Sequence, residues 1–124
     1  MSNVIYTPDA PAAIGPYSQA IVAGGLVFTS GQIPINPATG NIEAVTIEAQ
    51  TEQVCKNISA VLTAAGSSLE KVVKTVCFLS DMNDFAAFNA VYANYFTGKP
   101  ARSCVAVKTL PKNVLVEVDT IAEL

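Results

Sequence analysis

The sequence predicts a two-layer α+β domain in which two helices cover one face of a mixed β-sheet. Three observations carry that prediction. The chain of 124 residues is about the size of one ordinary domain. Two stretches repeat apolar residues at helical spacing, and the segments around them are short, apolar or β-branched and bounded by turn residues. No repeat, low-complexity tract or charged linker divides the chain, so residues 1–124 are expected to form a single domain.

In chain order, Gln19 to Val22 and Leu26 to Ser30 flank Gly24-Gly25, the pattern of a hairpin. Asn36-Pro37 and Gly40 mark turns in the loop that follows. From Thr46 to Ala65, the residues Ile47, Val54, Ile58, Val61, Leu62 and Ala65 recur at helical spacing, with Glu48 and Glu52 early and Gly66 as a stop. Val72 to Leu79 is short and rich in β-branched residues, which reads as a buried strand. Asn83 to Phe96 puts Phe85, Phe88, Val91, Tyr92 and Tyr95 on one helical face, with Asp81 or Asn83 as cap. Such a stripe reads as core rather than as a cofactor box. Ser103 to Val107 and Leu115 to Ala122 are closing strands separated by the turn Leu110-Pro111-Lys112-Asn113.

The predicted order is therefore strand, strand, helix, strand, helix, strand, strand. Each helix lies between strands able to pair in parallel, and right-handed crossovers put both helices on the same face of the sheet. The opposite face then has no cover within the chain. Composition points the same way. Apolar residues make up 51% before glycine is counted, whereas roughly 45–50% with glycine is usual for soluble domains. Association with further copies of the chain removes both difficulties.

Charge and residue types exclude several function classes. Seven basic and ten acidic residues give a net charge of -3, and the basic ones are scattered, so nothing favours a nucleic-acid surface. Cys55, Cys77 and Cys104 are far apart, with no CxxC pair and no histidine in the chain. That argues against a disulfide framework and against a metal site, and it removes the usual base of serine and cysteine hydrolases. The start, Met1-Ser2-Asn3-Val4, lacks the basic and apolar regions of a signal peptide. Ile21 to Phe28 is far below the ~20 apolar residues of a membrane span. A cytoplasmic chain without membrane contact is the expectation. No charged residue stands between Asp9 and Glu43; this run reads both as central strands with tight loops and as a segment facing an interface or pocket.

A few residues stand out as carriers of chemistry. Arg102, the sole arginine, opens a strand within Pro100-Ala101-Arg102-Ser103-Cys104. Its planar fork suits a carboxylate in a way lysine cannot reproduce, while a strand-pinning salt bridge or a solvated side chain is the structural alternative. Glu117 shares a strand face with Asp119. If partly desolvated it can orient water or act as a base; otherwise it is a solvent-facing strand residue. Cys104 reads as a packing residue, since no histidine is present to activate it. Tyr17, beside the rigid Gly15-Pro16 turn, and Ser30-Gly31-Gln32, at a strand end, offer polar groups where pockets commonly gather them.

Together these segments become recognisable. Ala12-Ala13-Ile14-Gly15-Pro16-Tyr17-Ser18-Gln19, Thr29-Ser30-Gly31-Gln32-Ile33-Pro34, Asn83-Asp84-Phe85 with Asn89 and Tyr92, Pro100-Ala101-Arg102-Ser103-Cys104-Val105, and Leu110-Pro111 followed by Val116-Glu117-Val118 resemble the RidA (YjgF-like) reactive-intermediate deaminase family over nearly the whole chain. The resemblance implies a homotrimer of chorismate-mutase-like subunits with three interfacial clefts. It implies hydrolysis of 2-imino acids such as 2-iminobutanoate and 2-iminopropanoate, or their enamine tautomers, to 2-keto acids and ammonia, with no cofactor. By the same resemblance Arg102 holds the substrate carboxylate, Glu117 is linked to the attacking water, and Tyr17, Ser30, Gly31 and Asn89 line the cleft. Backbone groups at Cys104 approach the imine nitrogen. Lys99, in the short stretch Phe96-Thr97-Gly98-Lys99-Pro100, stands where many relatives carry an aromatic or apolar residue. Two rival functions are a regulatory trimer that binds small carboxylates without turnover, and a ribonuclease or translation inhibitor, which fold alone does not exclude.

Overall fold

Along the last strand, buried and half-buried residues alternate, and this alternation organises the molecule. In the computed structural model, which describes residues 2–124, Val116, Val118, Thr120 and Ala122 are buried while Glu117, Asp119 and Ile121 are only partly covered. Successive strand residues point to opposite faces, so one face of the sheet is packed and the other is open. The strands are β1 (Asn3–Ile5), β2 (Ala20–Ala23), β3 (Leu26–Thr29), β4 (Val72–Leu79), β5 (Ala101–Ala106) and β6 (Val116–Glu123). They form one sheet in the order β1-β2-β3-β6-β4-β5, with β4 and β5 parallel and every other pair antiparallel.

Two helices, α1 (Ile47–Ala64) after β3 and α2 (Phe85–Tyr95) after β4, cover the packed face. Thr46 caps α1, its side chain accepting from the Ala49 N–H, and Gly66 follows its end in the left-handed conformation. Val54, Ile58, Val61 and Leu62 of α1 and Phe88 of α2 pack with Val27, Cys77, Leu79, Val116 and Val118 of the sheet. Each fully buried aliphatic side chain contributes about 1.5–3 kcal/mol, so this layer is the main source of stability. Buried polar groups in it are paired. Thr29 and Thr120 hydroxyls meet at 3.1 Å, and the Thr75 hydroxyl lies 2.8 Å from that of Tyr92. The opposite face presents Phe28, 40% exposed, and Val105, 47% exposed, with Glu117 and Asp119 between them in the sheet order.

The sequence expectation differs from this fold in four places. A sixth strand, β1, pairs with β2 at the sheet edge. β3 and β4 do not pair; β6 lies between them, antiparallel to both, so only the crossover through α2 joins parallel neighbours. The two closing strands do not pair with each other, because β4 separates them. The predicted second helix starts as a separate 3₁₀ turn, Met82–Asp84, and it is this turn that Asp81 caps by accepting from the Asn83 N–H. The hairpin at Gly24-Gly25 agrees with expectation: φ is 60° and 78°, the two left-handed residues a tight two-residue turn requires. No helix among the described residues is long and apolar enough to cross a membrane.

Candidate functional site

Arg102 sits near the start of edge strand β5, in register with buried Thr75 of β4. Its side chain therefore lies on the helix-covered face and meets α2. Asn89 Oδ1 accepts from Arg102 Nη1 at 2.7 Å, and the guanidinium carbon stands 4.8 Å from the Tyr92 ring centre and 5.4 Å from that of Phe85. Tyr92 is itself buried and anchored through its hydroxyl to Thr75, with its ring stacked on Phe96 at 4.5 Å. An Asn and two rings on successive turns of one helix thus hold the guanidinium plane. Among the described residues Arg102 has no carboxylate partner, since the one ion pair is Lys56 with Glu52. Its other N–H donors have no recorded protein acceptor, and a cavity of about 530 Å³ opens beside it, bordered by Thr97, Lys99 and Pro100.

A second cavity, of about 430 Å³, lies around Glu117. Apart from Glu117, Pro111 and Lys112, its walls come entirely from the uncharged run between Asp9 and Glu43, including Ile14, Tyr17, Ile33 and Ile35. Two buried amides fix these walls. The Gln19 side chain accepts from the Thr7 N–H and donates to the Thr7 and Pro11 carbonyls. The Asn57 side-chain amide, from α1, donates to the carbonyls of Ile33 and Ile35. Gln32 pairs with Val118 in both directions, which places Gly31 beside Glu117. A Cβ at Gly31 would overlap the Glu117 Oε2 and lie 2.9 Å from its Cδ. Glycine at 31 thus leaves the space that the Glu117 carboxylate occupies, and a larger residue there would make that side chain move. Burial, followed by the charge of Asp119, holds the Glu117 carboxyl above its ordinary value.

The predicted site residues fall into two groups. Arg102 and Asn89 border the first cavity; Tyr17, Ser30, Gly31 and Glu117 border the second. Arg102 is on the helix-covered face and Glu117 on the open face, so a single chain does not bring them together. The Ser30 hydroxyl donates to the Ser18 carbonyl, 2.6 Å away, and Ser30 lines the second cavity. Cys104 neighbours buried Cys77 across the parallel pair. Desolvation raises its thiol, against the opposing pull of Arg102, and burial pushes Cys55 and Cys77 up to about 12. None is an activated nucleophile. Among the described residues no cluster of three His, Cys, Asp or Glu side chains is placed to hold a metal ion.

Sequence reasoning assigned Phe85 and Tyr92 to the core alone. Phe88 is the purely buried member of that stripe, while Phe85 and Tyr92 also face Arg102. Sequence reasoning gives Gln19 and Asn57 no structural role; for Asn57 the available signal is its place on the apolar face of α1 with Val54, Ile58 and Val61, where a buried amide needs hydrogen-bond partners.

Residues 7–124 match the family model described as endoribonuclease L-PSP. The chain is 56% identical over 123 residues to a RutC family protein of Pyrococcus horikoshii, covering 98% of each. It is 48% identical over 126 residues to the 2-iminobutanoate/2-iminopropanoate deaminase of Escherichia coli, again covering 98% of each. Its fold matches the crystal structure of E. coli TdcF with bound serine at a TM-score of 0.94 and 43% identity, over 98% of both chains.

Proposed function

We propose that this chain, which belongs to the endoribonuclease L-PSP (YjgF/RidA) family, hydrolyses 2-imino acids and their enamine tautomers to 2-keto acids and ammonia in clefts between copies of itself. The observation that carries this reading is the state of Arg102. It is a guanidinium held by Asn89 and two rings, without a carboxylate partner, at the edge of an open cavity. Such a group accepts a small carboxylate through two parallel N–H donors. The name of the E. coli relative and the serine in TdcF both supply ligands with that carboxylate.

In the proposed reaction Arg102 fixes the carboxylate and a water associated with Glu117 attacks the iminium carbon. One proton of the water passes to Glu117, which returns it to the nitrogen of the resulting carbinolamine; the C–N bond breaks as the hydroxyl gives its proton to Glu117 and becomes the keto oxygen, and ammonia leaves. Burial and the neighbouring Asp119 raise the Glu117 carboxyl above its ordinary value, which makes it a better proton acceptor than a free carboxylate. In this reading backbone groups at Cys104 approach the imine nitrogen, and Tyr17, Ser30 and Gly31 line the cleft. Orientation alone supplies up to about 7–11 kcal/mol in favourable cases, ample for an imine that already hydrolyses in water.

Because Arg102 and Glu117 lie on opposite faces of one sheet, the reaction needs a second copy to supply the missing half. We therefore take the active form to be a homotrimer associated through the open face, where Phe28, Val105 and Ile121 await cover. The serine in TdcF, which is not an imine, supports a second reading in which the cleft binds amino or keto acids without turnover. RNA cleavage gains nothing from a net charge of -3 and the lack of histidine. One experiment separates these readings: purified protein is mixed with freshly generated 2-iminobutanoate and 2-iminopropanoate and the loss of imine is followed. Accelerated loss is expected. An unchanged spontaneous rate, from protein shown by sedimentation to be trimeric, leaves only the binding reading.

A further inference from the structure

Only three non-glycine residues among those described have a left-handed backbone: Lys99 (φ 52°), Lys112 (φ 55°) and Asn113 (φ 55°). For a lysine this conformation costs about 1 kcal/mol or more and persists only where the surroundings impose it. Both lysines border cavities. Lys99 stands with Arg102 in the first and Lys112 with Glu117 in the second. Neither ammonium has a carboxylate within ion-pair distance, the one such pair being Lys56 with Glu52. The first cavity has no acidic residue in its walls, and the second has Glu117 alone.

The charge count is therefore uneven. The chain as a whole carries -3, yet its two cavities together hold three cations, Arg102, Lys99 and Lys112, against one carboxylate. A 2-imino acid with an apolar side chain brings one negative charge, which Arg102 satisfies. With Glu117 also counted, one net positive charge is left at the rim. Since an excess of positive charge is relieved by a ligand that neutralises it, a cleft that joins the two cavities favours a substrate with a second anion.

We propose that Lys99 and Lys112 are specificity-determining residues that direct the cleft towards 2-imino acids bearing a second carboxylate, the imines of amino dicarboxylic acids. The inference rests on the cleft assembled in the preceding section and names its substrate class. Arg102 takes the carboxylate next to the imine carbon; the rim lysines take the distal one. The distal contact is solvent-exposed, so its strength falls with salt.

The test compares succinate with butanoate, dicarboxylate and monocarboxylate of equal chain length, by calorimetric titration of the intact protein. Two exposed ion pairs predict that succinate binds about five- to tenfold tighter at low ionic strength, with the ratio shrinking as salt is raised. In the double variant Lys99→Asn/Lys112→Asn the ratio should fall to about one, because asparagine tolerates the left-handed backbone but has no charge. The double variant Lys99→Arg/Lys112→Arg should retain the preference, separating charge from backbone shape. Equal binding of the two acids by the parent, or a preference that survives in the asparagine double variant, overturns the inference. Imine hydrolysis without the preference sinks this inference alone, and the preference without hydrolysis sinks the catalytic reading alone. Binding of neither acid removes both.

Discussion

Around Arg102 the positioning is done by side chains: one helix supplies an amide and two rings, and the ring of Tyr92 is pinned to β4 by its hydroxyl. Around Glu117 the walls are loop backbone that side chains hold: Gly31 leaves room for the carboxylate, and the buried amides of Gln19 and Asn57 fix loop carbonyls in place. The first arrangement fixes the plane of a cation whose task is geometric. The second places a carboxylate in a half-dry pocket, where its task depends on basicity. The two halves should therefore fail differently when altered, the first in binding and the second in turnover.

The largest effect should come from Glu117→Gln, which keeps the size of the side chain and removes its proton acceptor. Turnover should drop about 10²- to 10⁴-fold with much of the binding of carboxylate inhibitors retained, as steady-state kinetics and inhibitor titration will show. The pH dependence follows from the raised carboxyl. A folded chain that holds this proton more tightly than the unfolded chain loses stability as pH rises through the interval between the two values. Glutamine abolishes that loss, so Glu117→Gln should melt at a higher temperature than the parent at neutral pH. It should also lose the acid limb of the parent's kcat/KM profile. Full activity in this variant would refute the role given to Glu117.

Arg102→Lys keeps a positive charge but not the fork, and about 1.5–3 kcal/mol of charged hydrogen bonding is at stake. We expect roughly a 10- to 100-fold loss of kcat/KM accompanied by weakened inhibitor binding; parent-like values in both would mean that the guanidinium is structural. Gly31→Ala pushes a methyl group into the Glu117 carboxylate. Its deficit, about tenfold or more, should appear in kcat, with inhibitor binding at Arg102 little changed. Tyr92→Leu removes the ring under the guanidinium and should raise inhibitor constants about threefold to tenfold, a range set by a partly desolvated cation–π contact. Tyr92→Phe should restore most of that affinity while lowering stability by about 1 kcal/mol through the stranded Thr75 hydroxyl. The smallest effect belongs to Cys104→Ala. A thiol raised by burial is no nucleophile, and the variant should stay within about threefold of the parent; complete inactivity in a folded trimer would bring covalent catalysis back.

How much of this was legible in the sequence varied with the range of the interactions involved. Val72 to Leu79 was bounded without error because its β-branched run carries its own signal, and Thr46 to Ala65 differed from α1 by one residue at each end. β1 has three residues, too few for alternation to show, and it is a strand only because β2 lies beside it. The insertion of β6 between β3 and β4 is a pairing between distant segments, to which no local pattern refers. At the site, Arg102 was conspicuous as the only arginine. Its partners were not, because an aromatic stripe on a helix has the same spacing whether it covers a valine or a guanidinium. The contact of Gly31 with Glu117 joins two loci far apart in the chain, and neither residue type announces the other.

β6 offers a last consequence. Its even-numbered residues, Val116 to Ala122, belong to the packed layer, while Glu117 and Asp119 occupy the open one. A substitution touches one set and leaves the other alone. An insertion or deletion within the strand would exchange the two sets on one side of the change, driving open-face residues into the core and core residues outward, because a shift of one residue reverses every side chain that moves. Length variation in descendants of this chain should therefore collect in loops such as Asn36–Gly40, and random deletion libraries should yield no folded member missing a single residue between positions 116 and 122.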